Sequence, residues 1–468
     1  MVDLPFGANA TRRVPTAVEA STGFPCGAAD QSLFNFLAWL SSRNAIPTAV
    51  NSATTSAEPG SPAAGDAYII PDGATGSNWT GQADKVAMWT GADWVFWDVA
   101  AGTILVADDE DVFYRRTASG WLAYPLVQVI REDTEITVGT DTGDDFATFA
   151  EAFEWLSNYR IAVGYTVTVS VGAQTFTLDG SGESLSFSHP DGIRIEINGA
   201  TLLGSFPSQS AWAANGGGSS TRATDLAANV TLAESVLASR VYCDNGATVL
   251  FTGHFKKISN LGFFGDGTAV DGLVISGGTS EVENVVALGF GGKNLAFQAA
   301  QSTVSNIVGC GGQHGVIAIS GSHLTCPSGY IAGFNASIDG VTASQMSAIY
   351  CTSGNIYAGG CEQYGVRADS NAGITAGSAS QSRNSTSASY AATLASRVNA
   401  PGATSIGTPS VGFYSNEGSF IGATGCTASG TTYYLANRGS SIDAGSGSVG
   451  ASSPTVNTVG NENSYISQ

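Results

Sequence analysis

Between residues 272 and 450 apolar positions recur in a way that neither a helix nor a single hairpin produces. The segments GLVISGGTSEV (272–282), NLAFQAAQSTV (294–304), GVIAISGSHL (315–324), ASIDGVTASQM (336–346), GVRADSNAGI (365–374), SYAATLASRV (389–398), GFYSNEGSFI (412–421) and YYLANRGSSI (433–442) share one outline. Each opens small or aromatic and carries an apolar residue at or next to its second position. Each then passes through a Gly, Ser, Ala or Asn turn and returns to an apolar, β-favouring residue nine or ten places on. Their starts lie 22, 21, 21, 29, 24, 23 and 21 residues apart. Such a period marks a solenoid, whose coils bury their apolar faces only by stacking. Val, Ile, Tyr and Phe alternating with Ser, Thr, Gly and Asn is strand-and-turn chemistry, unlike leucine-rich or helical repeats. Three short strands with tight turns use about 20 residues, so one repeat is one coil of a parallel β-helix rising about 4.8 Å. The 29-residue interval predicts an extra loop at that coil.

Upstream, the stretch 145–160 places Phe149, Ala152, Phe153 and Leu156 on one helical stripe, with Asp144 or Asp145 as N-cap. Strand-like alternation follows in GYTVTVSVGAQTFTL and GIRIEINGATLLG. A helix at this point covers the open end of the β-helix, whose unpaired backbone otherwise templates aggregation. Residues 206–240 interrupt the alternation with a Gly/Ser loop and one short helix. There Trp212 either lines a ligand groove or pins the loop to the helix wall. After Gly450 the pattern is lost, which reads as a terminal cap or a strand joining copies. Residues 46–127 form a different block, a small antiparallel β module holding five of the eight tryptophans: Trp79, Trp89, Trp94, Trp97 and Trp121. Their rings either stack on sugars or fill a core too small to bury anything else. The acidic run Asp108, Asp109, Glu110, Asp111 lacks the spacing and glycine of a calcium loop and reads as a solvated turn. Residues 1–45 are an extended arm ending in a short helix behind Asp30, with Leu33, Phe36, Leu37 and Leu40 on one face. That face either packs on the next domain or makes an attachment.

Composition narrows the classes. Charged residues are 12% of the 468, glycines number 60, and 43% hydrophobic content excludes a disordered chain. A net charge of −20 argues against nucleic acid, since no cation excess exists to displace phosphate counterions. Seven cysteines stand far apart. Cys310, Cys326, Cys351, Cys361 and Cys426 fall inside the repeats, where a small buried side chain suits a coil better than a metal ligand or disulfide. No Gly-rich phosphate loop joins a strand to a helix, so nucleotide chemistry is unsupported; no cofactor and no metal are expected. The N-terminus lacks the apolar run of a signal peptide, and residues 33–40 are too short to span a bilayer.

GDAYIIPDGATGSNWTGQADKVAMWTGADWVFW, followed by an acidic DED, an aromatic pair and a Gly-Trp, resembles an uncharacterised domain family of tail and fibre proteins in alphaproteobacterial prophages and gene transfer agents. The resemblance covers about 80 residues; at Ala101-Gly102-Thr103 this chain lacks the family's usual Gly-Trp. It implies a virion fibre or spike and names no chemistry. The order of helix, TVTV strand and HPDGIRIEINGA over 145–205 is similar to the start of the pectate-lyase-like β-helix in phage tail spikes. Together these imply a mainly β protein: an attachment arm and helix (1–45), a small antiparallel module (46–127), and a right-handed parallel β-helix (128–468) assembled as a parallel homotrimer. The expected partners are two further copies, virion baseplate, tail or head proteins at the N-terminal region, and a host surface polysaccharide along the β-helix. Neither nucleic acid nor membrane insertion is expected. The expected location is the virion, after synthesis in the host cytoplasm without a signal peptide.

A spike of the same architecture that cleaves its polysaccharide is the alternative, and a structural decoration of head or tail is a third. Hydrolysis wants two carboxylates about 5–9 Å apart, and a lyase wants a base near a cation. Glu281 and Glu283, two apart on one strand, are the tidiest pair. Glu362 and Asp369 with Arg367, beside the long coil, are the other cluster. Arg367 and Trp212 are the candidates for holding sugar. Paired charges are scarce in the coils, which favours holding over cutting.

Overall fold

The computed structural model describes residues 49–109, 112–125, 128–178, 184–215, 222–407, 409–445, 448–449, 458–460 and 464–467. The arm and its helix, with Leu33, Phe36, Leu37 and Leu40, lie outside the described residues. The chain divides into two units, Met1–Val127 and Gln128–Gln468.

In the second unit the chain winds as a parallel β-solenoid with three faces. Face 1 is an eleven-stranded sheet from Leu185–Ser188 to Thr458–Gly460. Face 2 runs from Thr134–Val138 to Tyr465–Ser467, and face 3 from Thr175–Leu178 to Ser448–Val449. On face 1, Leu273, Leu295, Val316, Val341, Val366, Tyr390, Phe413 and Tyr434 stand in register and are buried. Their spacings are 22, 21, 25, 25, 24, 23 and 21 residues. The 29-residue coil expected from sequence is therefore not there. Gly340, not Ala336, aligns with Gly315 and Gly365, and the excess is shared between two coils of 25. The pattern also continues past Gly450: Thr458–Gly460 pairs in parallel with Thr432–Asn437, and Tyr465–Ser467 with Ser441–Asp443.

The interior is stacked like on like. Tyr390, Phe413 and Tyr434 form a ladder of rings with centroids 5.0 and 5.5 Å apart. Below face 2 a file of buried serines links coils, Ser347 Oγ accepting from the Ser322 N–H at 3.1 Å and Ser419 Oγ from the Ser396 N–H at 3.0 Å. Cys326 and Cys351 are free and buried, two residues after Leu324 and Ile349, where later coils carry Ala376, Ala400 and Ala423.

Corners need residues that tolerate positive φ. Thr279–Leu288 and Gln301–Cys310 each serve two faces, bending at Asn284 (φ 52) and Asn306 (φ 53). Asparagine reaches this region at lower cost than other side chains, and its amide can bond along the axis. Asn306 Nδ2 donates to Asn284 Oδ1 and Asn284 Nδ2 to Asn260 Oδ1, both at 3.0 Å. The turn from face 3 to face 1 is left-handed in six successive coils, at Gly289, Gly311, Asn335, Gly360, Asn384 and Gly407.

Helix α1 (Phe149–Ser157) closes the first coils with Phe149, Ala152, Phe153 and Leu156, all buried. Phe153 stacks 4.0 Å from Phe187, and Phe149 lies 4.9 Å from Phe176. Its N-cap is Thr148, in a capping box with Glu151, and neither Asp144 nor Asp145. Those aspartates serve the preceding loop: Asp145 Oδ2 accepts from the Thr137 N–H at 2.8 Å and Asp144 Oδ2 from the Asp141 N–H at 2.9 Å.

The interruption near 206–238 holds two helices where sequence suggested one: α2 (Gln209–Asn215) and α3 (Arg222–Glu234). They cover the outward side of face 3 where it is apolar, burying Phe264, Val286, Leu288, Val308, Phe334 and Tyr357 with Trp212, Ala233 and Leu237. Asn229 Nδ2 of α3 meets Cys310 Sγ at 3.5 Å.

The first unit is a pair of small sheets. One is antiparallel, Ala67–Ile69, Val86–Trp89 and Trp94–Trp97. The other joins Ile104–Ala107, Val112–Thr117 and Gly120–Pro125 antiparallel and takes Ala49–Val50 alongside in parallel. Val50, Ile69, Val86 and Leu105 form its core with half-buried Trp97 and Trp121. On the other side of the first sheet Trp79 is fully buried, 5.3 Å from both Tyr68 and Trp94.

Candidate functional site

Face 2 turns a polar side outward. Strand alternation sends Ile258, Val282, Leu324, Ile349, Ile374 and Val398 inward. Between them a file in register faces out: Glu135, Thr168, Glu196, Lys257, Glu281, Thr303, Thr325, Tyr350, Thr375 and Asn399. A second file beside it begins Thr279, Gln301, His323. Over Thr279, Glu281, Gln301, Thr303, His323 and Thr325 lies an open groove of about 610 Å³, bordered by Ile193, Phe255 and Lys256. Lys256 also borders a second depression of about 420 Å³ lined by Asp133, Glu135, Thr166, Thr168 and Glu196. The two form one track along the axis, rich in hydroxyls. At its distal end the His323 and Tyr350 rings lie 6.2 Å apart, with Tyr350 41% exposed.

Both lysines in this track are paired with carboxylates. Lys257 Nζ is 2.6 Å from Glu283 Oε2 and 3.4 Å from Glu281 Oε1, and the hydrogen bond it donates to Glu283 pushes its ammonium pKa up. Lys256 Nζ is 2.7 Å from Glu196 Oε1. Burial raises the Glu196 carboxyl, but Lys256 and Asn198 outweigh it and hold the group below its ordinary value. Glu281 and Glu283 do share a face, as their spacing requires, and both are spent on one lysine. Such an arrangement neutralises a cation and sets no acid against a base.

The other sequence cluster falls on the outward side of face 1. Arg367 Nη2 is 3.0 Å from Asp369 Oδ1, and Nη1 is 3.5 Å from Asp339 Oδ2 in the preceding coil. Glu362 is exposed in the turn before this strand. The third member of the cluster is Asp339, with no exposed surface. Thr342 Oγ1 donates to Asp339 Oδ2 at 3.1 Å, and His314 Nδ1 lies 3.7 Å from the same oxygen. Burial pushes the Asp339 carboxyl up to about 6 against the pull of Arg367, and pushes His314 down to about 4. This is the pairing of raised acid and lowered base seen in catalytic sites, but a carboxyl sealed from solvent touches no polymer. Burial, Arg367 and the coil stack account for it.

Trp212 is fully buried, and its Nε1 donates to the Tyr330 hydroxyl at 2.8 Å, which donates to the Pro207 carbonyl at 2.5 Å. It pins α2 to face 3. The hydroxyl track, by contrast, went unread in the sequence: its Thr, Gln and Tyr are ordinary strand residues until the register aligns them. Among the described residues no group of three His, Cys, Asp or Glu side chains is placed to hold a metal ion, and no helix is long and apolar enough to cross a membrane.

Residues 44–122 match the model of a family described as a protein of unknown function (DUF2793). The match covers the Trp-rich unit. No curated protein and no solved structure matches the chain.

Proposed function

We propose that the chain is a fibre or spike of a phage or gene transfer agent particle that holds a host surface polysaccharide along the outward side of face 2. The polar track carries this reading: hydroxyl side chains recur coil by coil over two depressions that share Lys256, joined by Gln301 and His323, and both lysines there are paired with carboxylates. A polymer of hydroxylated rings meets a matching series of partners there, and weak contacts add along its length. The resemblance of the Trp-rich unit to domains of tail and fibre proteins supports a particle-bound role, with the N-terminal arm as attachment and three parallel copies multiplying the contacts. The paired state of Glu281 and Glu283 favours holding over cleaving.

The test is to incubate the purified full chain with capsule or lipopolysaccharide of the host, following both capture and polymer length. Capture without shortening is expected, and Tyr350→Ala together with Gln301→Ala is expected to weaken it about tenfold or more. Absence of capture, or capture unaffected by both changes, overturns the assignment to this face. Shortening that disappears in Glu281→Gln replaces the binder with a depolymerase.

A further inference from the structure

The two depressions of face 2 carry a balance of charge that selects among polysaccharides. Among the described residues that line them, Asp133, Glu135, Glu196 and Glu281 are carboxylates and Lys256 is an ammonium, leaving three negative charges in excess. Lys256 is spent on Glu196 at 2.7 Å, and Lys257, beside the groove, is held 2.6 Å from Glu283. Arg194, next to Ile193 in the chain, is bound to Asp191 at 2.9 Å. An acidic group entering either depression therefore finds the lining cation already committed. Asp133 Oδ1 accepts from the Thr166 N–H at 2.8 Å and Glu135 Oε1 from the Ser170 hydroxyl at 2.5 Å, and neither carboxylate has a cationic partner among the described residues.

An ionised carboxylate accepts hydrogen bonds and donates none. A sugar hydroxyl can donate to it, whereas a uronate, phosphate or sulfate group is repelled. In water two like charges about 4 Å apart disfavour contact by about fivefold, so three uncompensated charges multiply to about a hundredfold. The chain's net charge of −20 adds repulsion at longer range. The rest of the lining suits an uncharged ring. Thr279, Gln301, Thr303 and Thr325 offer donors and acceptors together, and Ile193, 52% exposed, offers an apolar edge to the C–H side of a sugar. Taking the polysaccharide reading of the track as given, we infer that the segment held over these two depressions is a run of neutral sugars, and that polymers acidic at most residues are excluded.

The test separates the host surface polysaccharide by anion exchange at pH 7 into an unretained, neutral fraction and a retained, acidic one. Each is offered to the immobilised full chain in 50 and 500 mM sodium chloride, with EDTA present so that no divalent cation bridges like charges. Capture of the neutral fraction is expected, equal at the two salt concentrations, with no capture of the acidic fraction at 50 mM. Glu135→Lys, at an exposed position, shifts the balance by two charges and is expected to raise capture of the acidic fraction about tenfold at 50 mM. Acidic polymer captured as well as neutral by the unchanged protein overturns the charge class and leaves the binder standing, as does neutral capture that falls between 50 and 500 mM. An acidic fraction still excluded by Glu135→Lys overturns the assignment of selectivity to these carboxylates. Capture of neither fraction ends the polysaccharide reading itself.

Discussion

Asp339 has no exposed surface, and burial lifts its carboxyl from the ordinary 3.8 to about 6. A raised folded-state value means that the folded chain binds the proton more tightly than the unfolded chain. The stabilisation is therefore complete below about pH 4 and lost as pH rises through about 6. His314, facing the same oxygen, acts in the opposite sense. Its value is depressed from 6.5 to about 4, so its contribution is present above 6.5 and lost as pH falls toward 4. Arg367, Asp369, Lys293 and Asp271 are the other charges around them. Asp339→Asn removes the contribution of the carboxyl. Relative to the unchanged protein the variant is expected to gain about 2 kcal/mol between pH 4 and pH 8 in denaturant unfolding. A difference that stays flat across that range would show that the carboxyl does not titrate there. Sequence reading placed Arg367 and Asp369 together but passed over Asp339, because aligning the coil on Ala336 instead of Gly340 shifted it four positions out of register with Tyr364. One misplaced coil boundary hid the most unusual side chain of the face.

Elements in this fold are specified by what lies one coil away. Asn284 combines a left-handed backbone with hydrogen bonds to Asn260 and Asn306. Asn284→Ala loses both bonds and strains the backbone, an expected cost of about 2–4 kcal/mol. Asn284→Gly keeps the bend without strain and is expected to cost about half as much; equal losses in the two variants would mean the bend contributes nothing. The solenoid itself was legible because inward Val, Ile and Tyr recur with turn residues between them. The asparagine ladder was not, since its members stand 24 and 22 residues apart and become partners only when coils are in register. Helix α1 was legible from four apolar residues at helical spacing, whereas its cap was not: two aspartates precede Thr148, and only the loop geometry shows that they are already engaged. In α3 the contacts to face 3 come from Leu226, Val230 and Ala233, a stripe diluted by alanine and asparagine that reads weakly as amphipathic.

At the scale of the molecule, the two units have separate cores. Six of the eight tryptophans belong to the first unit and Trp155 and Trp212 to the second. Heating is thus expected to give two transitions: tryptophan emission mainly follows the first unit, and the far-ultraviolet signal of the parallel strands follows the solenoid. A single transition seen identically by both probes would show that the units unfold as one. Within the solenoid, the like-on-like interior has a further consequence. A coil whose buried serine, alanine and aromatic positions meet the same kinds of residue above and below presents equivalent surfaces at both ends. Inserting or removing a whole coil in this region leaves the junction chemically unaltered. Reach is then a quantity the gene adjusts by counting, in steps of about 4.8 Å, without redesigning a core.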